Sequence, residues 1–193
     1  MAVSMLRRLL LVLCLGSITL GAAAAPPMNR QQALRTLTHP VAAERASAVA
    51  RLADLGQMAD ASRVAERLRD DDEDVRALAT SALWMIWSRS GDRQIDRLFA
   101  RGMQQMSAGD LDAALATFSR VVQKKPAFAE GWNKRATVHW LLGDFPASIS
   151  DICETVKREP RHFGAYSGLG MIRAQRGETC GNFWSCWTTA ANA

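Results

Sequence analysis

At 193 residues the chain is long enough for one compact domain or a short stack of repeats, and its 48% hydrophobic and 22% charged content excludes wholesale disorder. The formal charge is +5, but Arg7 and Arg8 lie in a segment expected to be removed, which leaves 22 of the 24 Lys and Arg against 19 Asp and Glu. So small an excess, so well mixed in sign, argues against nucleic acid as a partner.

Residues 1–24 read as a signal peptide. Arg7 and Arg8 form a basic start, Leu9 to Leu20 an apolar stretch, and Ala22 to Ala25 offer small residues for cleavage. Pro26 disfavours a cut just before it, so cleavage is expected before Ala25. The apolar run is too short for a comfortable membrane span, and Leu13 before Cys14 does not fit a lipoprotein motif. An uncleaved N-terminal anchor is the alternative. The expectation is a periplasmic or secreted bacterial protein with no membrane span in the mature chain. Cleavage leaves Cys153, Cys180 and Cys186, whose pairing stays open. No Cys/His spacing resembles a zinc site.

In chain order, Pro26 and Pro27 begin a linker, and Asn29 can cap a helix running through Ala33, Leu34 and Leu37 to a stop at His39-Pro40. Glu44-Arg45, Ala48 and Leu52 return as Val75-Arg76, Ala79 and Leu83. Residues 25–90 thus resemble HEAT-type repeats, in which a small Ala lets paired helices approach and the Arg stacks between units. Leu55-Gly56 ends one helix, and Ala61 to Leu68 make another with Val64, Ala65 and Leu68 on one face. The acidic run Asp70 to Asp74 reads as a cap for a helix starting near Val75 rather than as a calcium loop, since the loop's Gly and distal Glu are missing. Ala79 to Trp87 is apolar all round and is expected at the seam between two repeat arrays, with Trp84 and Trp87 as core. Ser90-Gly91-Asp92 breaks it.

From Ile95 a period of 34 residues takes over. It spaces Gly109-Asp110, Gly143-Asp144 and Gly177-Glu178, and equally Pro126 with Pro160 and Trp132 with Tyr166. With Gly102, Ala114 and Phe118 in one unit and Ala136 and Ile152 in the next, residues 95–178 resemble the tetratricopeptide repeat (TPR). The units are 95–128, 129–162 and an incomplete third from 163. The resemblance implies an all-α fold, a right-handed α-solenoid of antiparallel helix pairs. Small residues at Gly102, Ala136 and Gly170 let the first helix of each unit cross its partner, and Ser148 stands where Ala is usual. In the third unit Asn182 and Cys186 stand where the pattern wants a small and a large apolar residue, and 179–193 reads as an irregular tail. A shifted or truncated reading frame is favoured there over an aromatic docking segment built on Phe183, Trp184 and Trp187.

No catalytic motif or phosphate-cradling loop is found, core packing is favoured over a cofactor box for Trp84 and Trp87, and His39, His139 and His162 fall on separate elements. An enzyme is not expected, and no cofactor or metal is implied. Counted in the family register, the concave wall of the solenoid includes Phe99, Met103, Met106, Asn133, Lys134, Thr137, Trp140, Ser167 and Met171. Met adapts to varied ligands, Asn133 and Lys134 could hold a peptide backbone, and Trp140 offers an anchor. Family members that clamp C-terminal carboxylates do so with several Lys, Arg and Asn positions. Only Lys134 matches here; Phe99, Met103, Gly164 and Gly168 stand at the others, so no such clamp is implied. The expected function is a noncatalytic scaffold of the bacterial cell envelope that binds a protein or peptide on the concave face. A structural or assembly factor without a discrete site, and an accessory subunit of an envelope enzyme, are the alternatives.

Overall fold

A computed structural model describes residues 27–177, so the signal peptide, the tail from 179, and Cys14, Cys180 and Cys186 lie outside the described residues. Every regular element among the described residues is helical, and the fold is an all-α stack of antiparallel pairs. Its helices are α1 (Arg30–Thr36), α2 (Ala42–Leu55), α3 (Ala61–Ala65), α4 (Glu73–Trp87), α5 (Arg93–Ser107), α6 (Leu111–Lys124), α7 (Ala129–Leu141), α8 (Phe145–Arg158) and α9 (Phe163–Gln175).

The first four helices share one core. Asn29 caps α1 in a reciprocal box with Gln32. Ala48 on α2 and Ala79 on α4 are both fully buried where those helices pack, beside Val49, Leu52, Leu83 and Ile86. The helix expected over 61–68 is α-helical only to Ala65 and then tightens into a 3₁₀ turn, Glu66–Arg69. That turn closes on a bond from the Asp70 N–H to the Arg67 carbonyl, 3.1 Å, and brings the Asp70 carboxylate to Arg45. The two arginines expected to stack between units serve the acidic loop. Arg45 grips Asp70 with two bonds of 2.9 and 2.6 Å, and Arg76 donates to the Asp70 and Asp71 carbonyls. Asp72 caps α4 by accepting from Val75 N–H, so the helix opens at Glu73, two residues earlier than expected.

The 34-residue period has a local cause at each tooth. Gly109, Gly143 and Gly177 all take positive φ, +77°, +79° and +69°, a left-handed turn that glycine enters without a Cβ clash. Asp110 and Asp144 then cap α6 and α8 through the N–H three residues on. Trp132 donates its indole N–H to the Pro126 carbonyl, and one period later Tyr166 donates its hydroxyl to the Pro160 carbonyl. At Gly102 a Cβ would lie 2.8 Å from the Phe118 ring, so glycine sets how closely α5 and α6 cross. Ala136 is buried in the second unit, where the Ser148 hydroxyl bonds its carbonyl at 2.8 Å. At Gly170 nothing stands within 4 Å among the described residues, its expected partner helix falling beyond them.

The helix α4 packs in the first core and also touches His162 and Phe163 at the start of α9. Trp84 and Trp87 meet Phe163 with ring centroids 5.1 and 5.0 Å apart, and His162 stacks on Trp87 at 4.2 Å. Arg161 adds a bond to the Ser62 carbonyl. No helix among the described residues is long and apolar enough to cross a membrane.

Candidate functional site

Where α7, α8 and α9 face Trp84 of α4, the packing leaves a cavity of about 160 Å³. Its walls include Asn133, Lys134, Thr137 and Trp140 from α7, Ile152 from α8, and Gly164, Gly168 and Met171 from α9. The spacing 133, 137, 140 is one face of a helix, which is why these three side chains share a wall. Glycine at 164 is required: a Cβ there would collide with the Trp84 indole. Glycine at 168 leaves open space, since a Cβ would meet only Ile152 Cδ1 at 3.5 Å.

Five residues expected on the wall therefore line one cavity: Asn133, Lys134, Thr137, Trp140 and Met171. The others do not. Phe99 is buried, its ring 5.6 Å from Phe118 and 5.3 Å from Phe128, because three aromatics close together exclude water better than one exposed to it. Met103 and Met106 pack against that same cluster. Ser167 is exposed on α9 outside the cavity lining.

Beneath the cavity sits a buried carboxylate that the sequence reading passed over. Glu130 is almost fully buried, with Oε2 lying 2.7 Å from His162 Nε2 and accepting from Asn133 Nδ2 at 3.0 Å. Lys134 Nζ stands 3.1 Å from Oε1, an ion pair off the line of a hydrogen bond. His162 Nδ1 accepts the Ala165 N–H at 3.1 Å and caps α9, so the ring proton belongs on Nε2, facing Glu130. Asn133 and Lys134, expected to offer themselves to a ligand, are thus anchored by their own helix. Lys134 Nζ also lies 5.2 Å from the centroid of the Trp84 ring. The Thr137 hydroxyl donates to the Asn133 carbonyl. The Trp140 indole N–H is buried with no acceptor among the described residues.

Trp84, Glu130 and His162 were missed for one reason. Each makes a contact distant in sequence, although Glu130 also meets Asn133 and Lys134 on its own helix, and the apolar character of α4 signalled burial without saying against what. The remaining histidines stand elsewhere: His139 lies 3.7 Å from Asp144 and 3.9 Å from Asp151, which itself holds Arg135 with two bonds of 2.7 Å. Among the described residues no group of three His, Cys, Asp or Glu is placed to hold a metal ion. Cys153 is disulfide-bonded, and every other cysteine of the chain lies outside the described residues.

The chain is 33% identical over 109 residues to a protein from Rhizobium etli described as a TPR repeat-containing protein; the match covers 56% of this chain. The chain spans about half, 53%, of that relative's length. No family model matches the chain, and no solved structure matches it. Period, helix pairing and this likeness together support a TPR-like helical repeat.

Proposed function

We propose that this protein is a noncatalytic scaffold of the bacterial cell envelope that holds a protein or peptide segment on the face formed by α7 and α9. One observation carries the reading: five side chains of two successive repeat helices converge on a single cavity with mostly apolar walls and a few polar groups, the usual make-up of a binding site. The helices α1 to α4 are taken as a HEAT-like array serving as the support of that face. Export rests on the basic, apolar and small-residue order of residues 1–24. The internal pairing of Lys134 and Asn133 with Glu130 is what favours the second reading, an assembly factor without a discrete site.

A peptide array probed with the wild type and with a Lys134→Ala/Trp140→Ala double variant tests the first reading. Binding should weaken at least tenfold in the double variant while thermal denaturation shows it still folded. Undiminished binding overturns the groove. Mass spectrometry of the exported protein should read Ala25 as the N-terminus; a mature chain that retains Arg7 rejects the export reading.

A further inference from the structure

The cavity is a composite of both arrays, and that decides what it can hold. Trp84 comes from α4, and Gly164 has no side chain to keep the indole away. A groove open along its length would accept an extended segment. Here the Trp84 indole is part of the lining, and with Trp140 and Met171 it borders a bay of about 160 Å³. An apolar cavity of about 150 Å³ accommodates a benzene-sized group. Ala136, Ile152 and Ile172 supply aliphatic lining, and Met171 lines the bay while remaining 54% exposed.

Charge narrows the occupant further. The ammonium at the bay, on Lys134, is already balanced by buried Glu130, which is held in turn by His162 and Asn133. An acidic group entering the bay would give up its hydration and find no uncompensated cation, a losing exchange. A second ammonium would find its counter-charge taken. An aromatic ring loses nothing comparable, and two indoles and a thioether are favourable neighbours for one.

We propose that the bay between Trp84 and Trp140 is an anchor pocket for one uncharged aromatic side chain, a phenylalanine of a peptide or protein partner. This rests on the scaffold reading above and adds to it the chemistry of what is bound. The buried indole N–H of Trp140 suits a carbonyl acceptor carried in beside the ring. Trp84 becomes the specificity-determining wall, and the segment is held by a side chain rather than by its carboxylate.

The test uses the full protein and two kinds of probe. In ¹H–¹⁵N spectra, N-acetylphenylalaninamide should shift the indole N–H signals of Trp84 and Trp140 saturably at millimolar concentration. N-acetylalaninamide and N-acetylglutamic acid amide should act at least tenfold more weakly. Gly168→Leu should abolish the response, because its Cβ fits without strain and its branches fill the bay. Trp84→Leu, which keeps an apolar wall, should weaken it severalfold. Equal response to the three probes, or a response that survives Gly168→Leu, overturns the proposal. A random peptide library selected on the wild type separates the two readings. Selected peptides should lose at least tenfold in affinity on Phe→Ala and on Gly168→Leu. Peptides that bind with no aromatic requirement sink the pocket while the scaffold stands. Selection of none, with N-acetylphenylalaninamide still bound, sinks the scaffold reading and with it a partner's side chain as occupant.

Discussion

Gly164 and Gly168 sit one helical turn apart on α9 and answer to opposite demands. At Gly164 a Cβ would strike the Trp84 indole, whose ring is fixed by Phe163 and Trp87 and has little room to withdraw. Gly164→Ala should therefore cost about 1–3 kcal/mol, the usual penalty of overpacking, read as a lower urea midpoint. Gly168→Ala meets only an ordinary contact with Ile152 and removes a glycine from a helix interior. It should stabilise by about 0.5–1 kcal/mol. Two changes of one methyl group, made on the same helix, are thus expected to move the midpoint in opposite directions. Should both destabilise alike, Trp84 is not the neighbour that distinguishes them.

Among the elements, the first four helices are joined by two carboxylates that depend on ionisation. Burial alone would raise the Asp60 carboxyl, yet the Arg30 side chain and the Gln57 N–H together hold it below its ordinary value. At Asp70 the hydrogen bonds from Arg45 dominate; they outweigh burial and, with the Asp72 N–H, keep that carboxyl low as well. A carboxyl whose folded pKa is depressed binds its proton more readily in the unfolded chain. Its stabilising contribution is therefore complete above the unfolded value, near 4, and disappears as pH falls through the lower, folded value. Urea midpoints taken from pH 7 down to pH 2.5 should show that acid loss. In Asp70→Asn the overall stability should be lower and the acid slope shallower, because one of the titrating groups is gone. An unchanged slope would remove Asp70 from the account. At this scale the sequence was a good guide wherever the cause was local. The turn glycines at 109, 143 and 177, the aspartate caps and the small crossing residue at 102 announce themselves because each is settled by its near neighbours. Arg45 and Arg76 were located correctly and given another task, since only the tightened turn at Glu66–Arg69 reveals the acidic loop within their reach.

Across the whole molecule, the feature no periodicity could encode is the reach of α4 to the junction of the second and third repeat units. The contact is built from His162 stacked on Trp87, its Nε2 on Glu130, and Phe163 against both indoles. For the same reason Trp84 reads as plain core in the sequence, and half of the candidate cavity's logic, its closing wall, stayed hidden. His162→Phe keeps a ring beside Trp87 but removes the imidazole from Glu130 Oε2, leaving it Asn133 and Lys134, and deletes the α9 cap. The expected loss is about 2–4 kcal/mol, combining a lost hydrogen bond to a buried carboxylate with a missing cap. Hydrogen exchange should show α4 and α9 losing protection together, while α5 and α6, which share their own cluster around Phe118, keep theirs. Protection lost on α9 alone would mean that the two arrays are not held at this point.

Stacks of helical repeats commonly gain or lose members, because each unit touches only its neighbours and a copy inserted in the middle offends nobody. The reach from α4 to Phe163 and Gly164 removes that freedom. A second copy of 129–162 placed in tandem would leave the first His162 in place but carry Phe163 and Gly164, the part of the landing site that follows it, one unit further along the stack, while α4 stayed tied to α2 by their shared core. The indoles would then meet Ala129 and Glu130 of the copy where Phe163 and Gly164 now stand, and a side chain in place of Gly164 would strike Trp84. In this chain the number of repeats between α4 and α9 is a fixed length, a strut cut to measure, and duplication of the kind that enlarges open solenoids is closed to it.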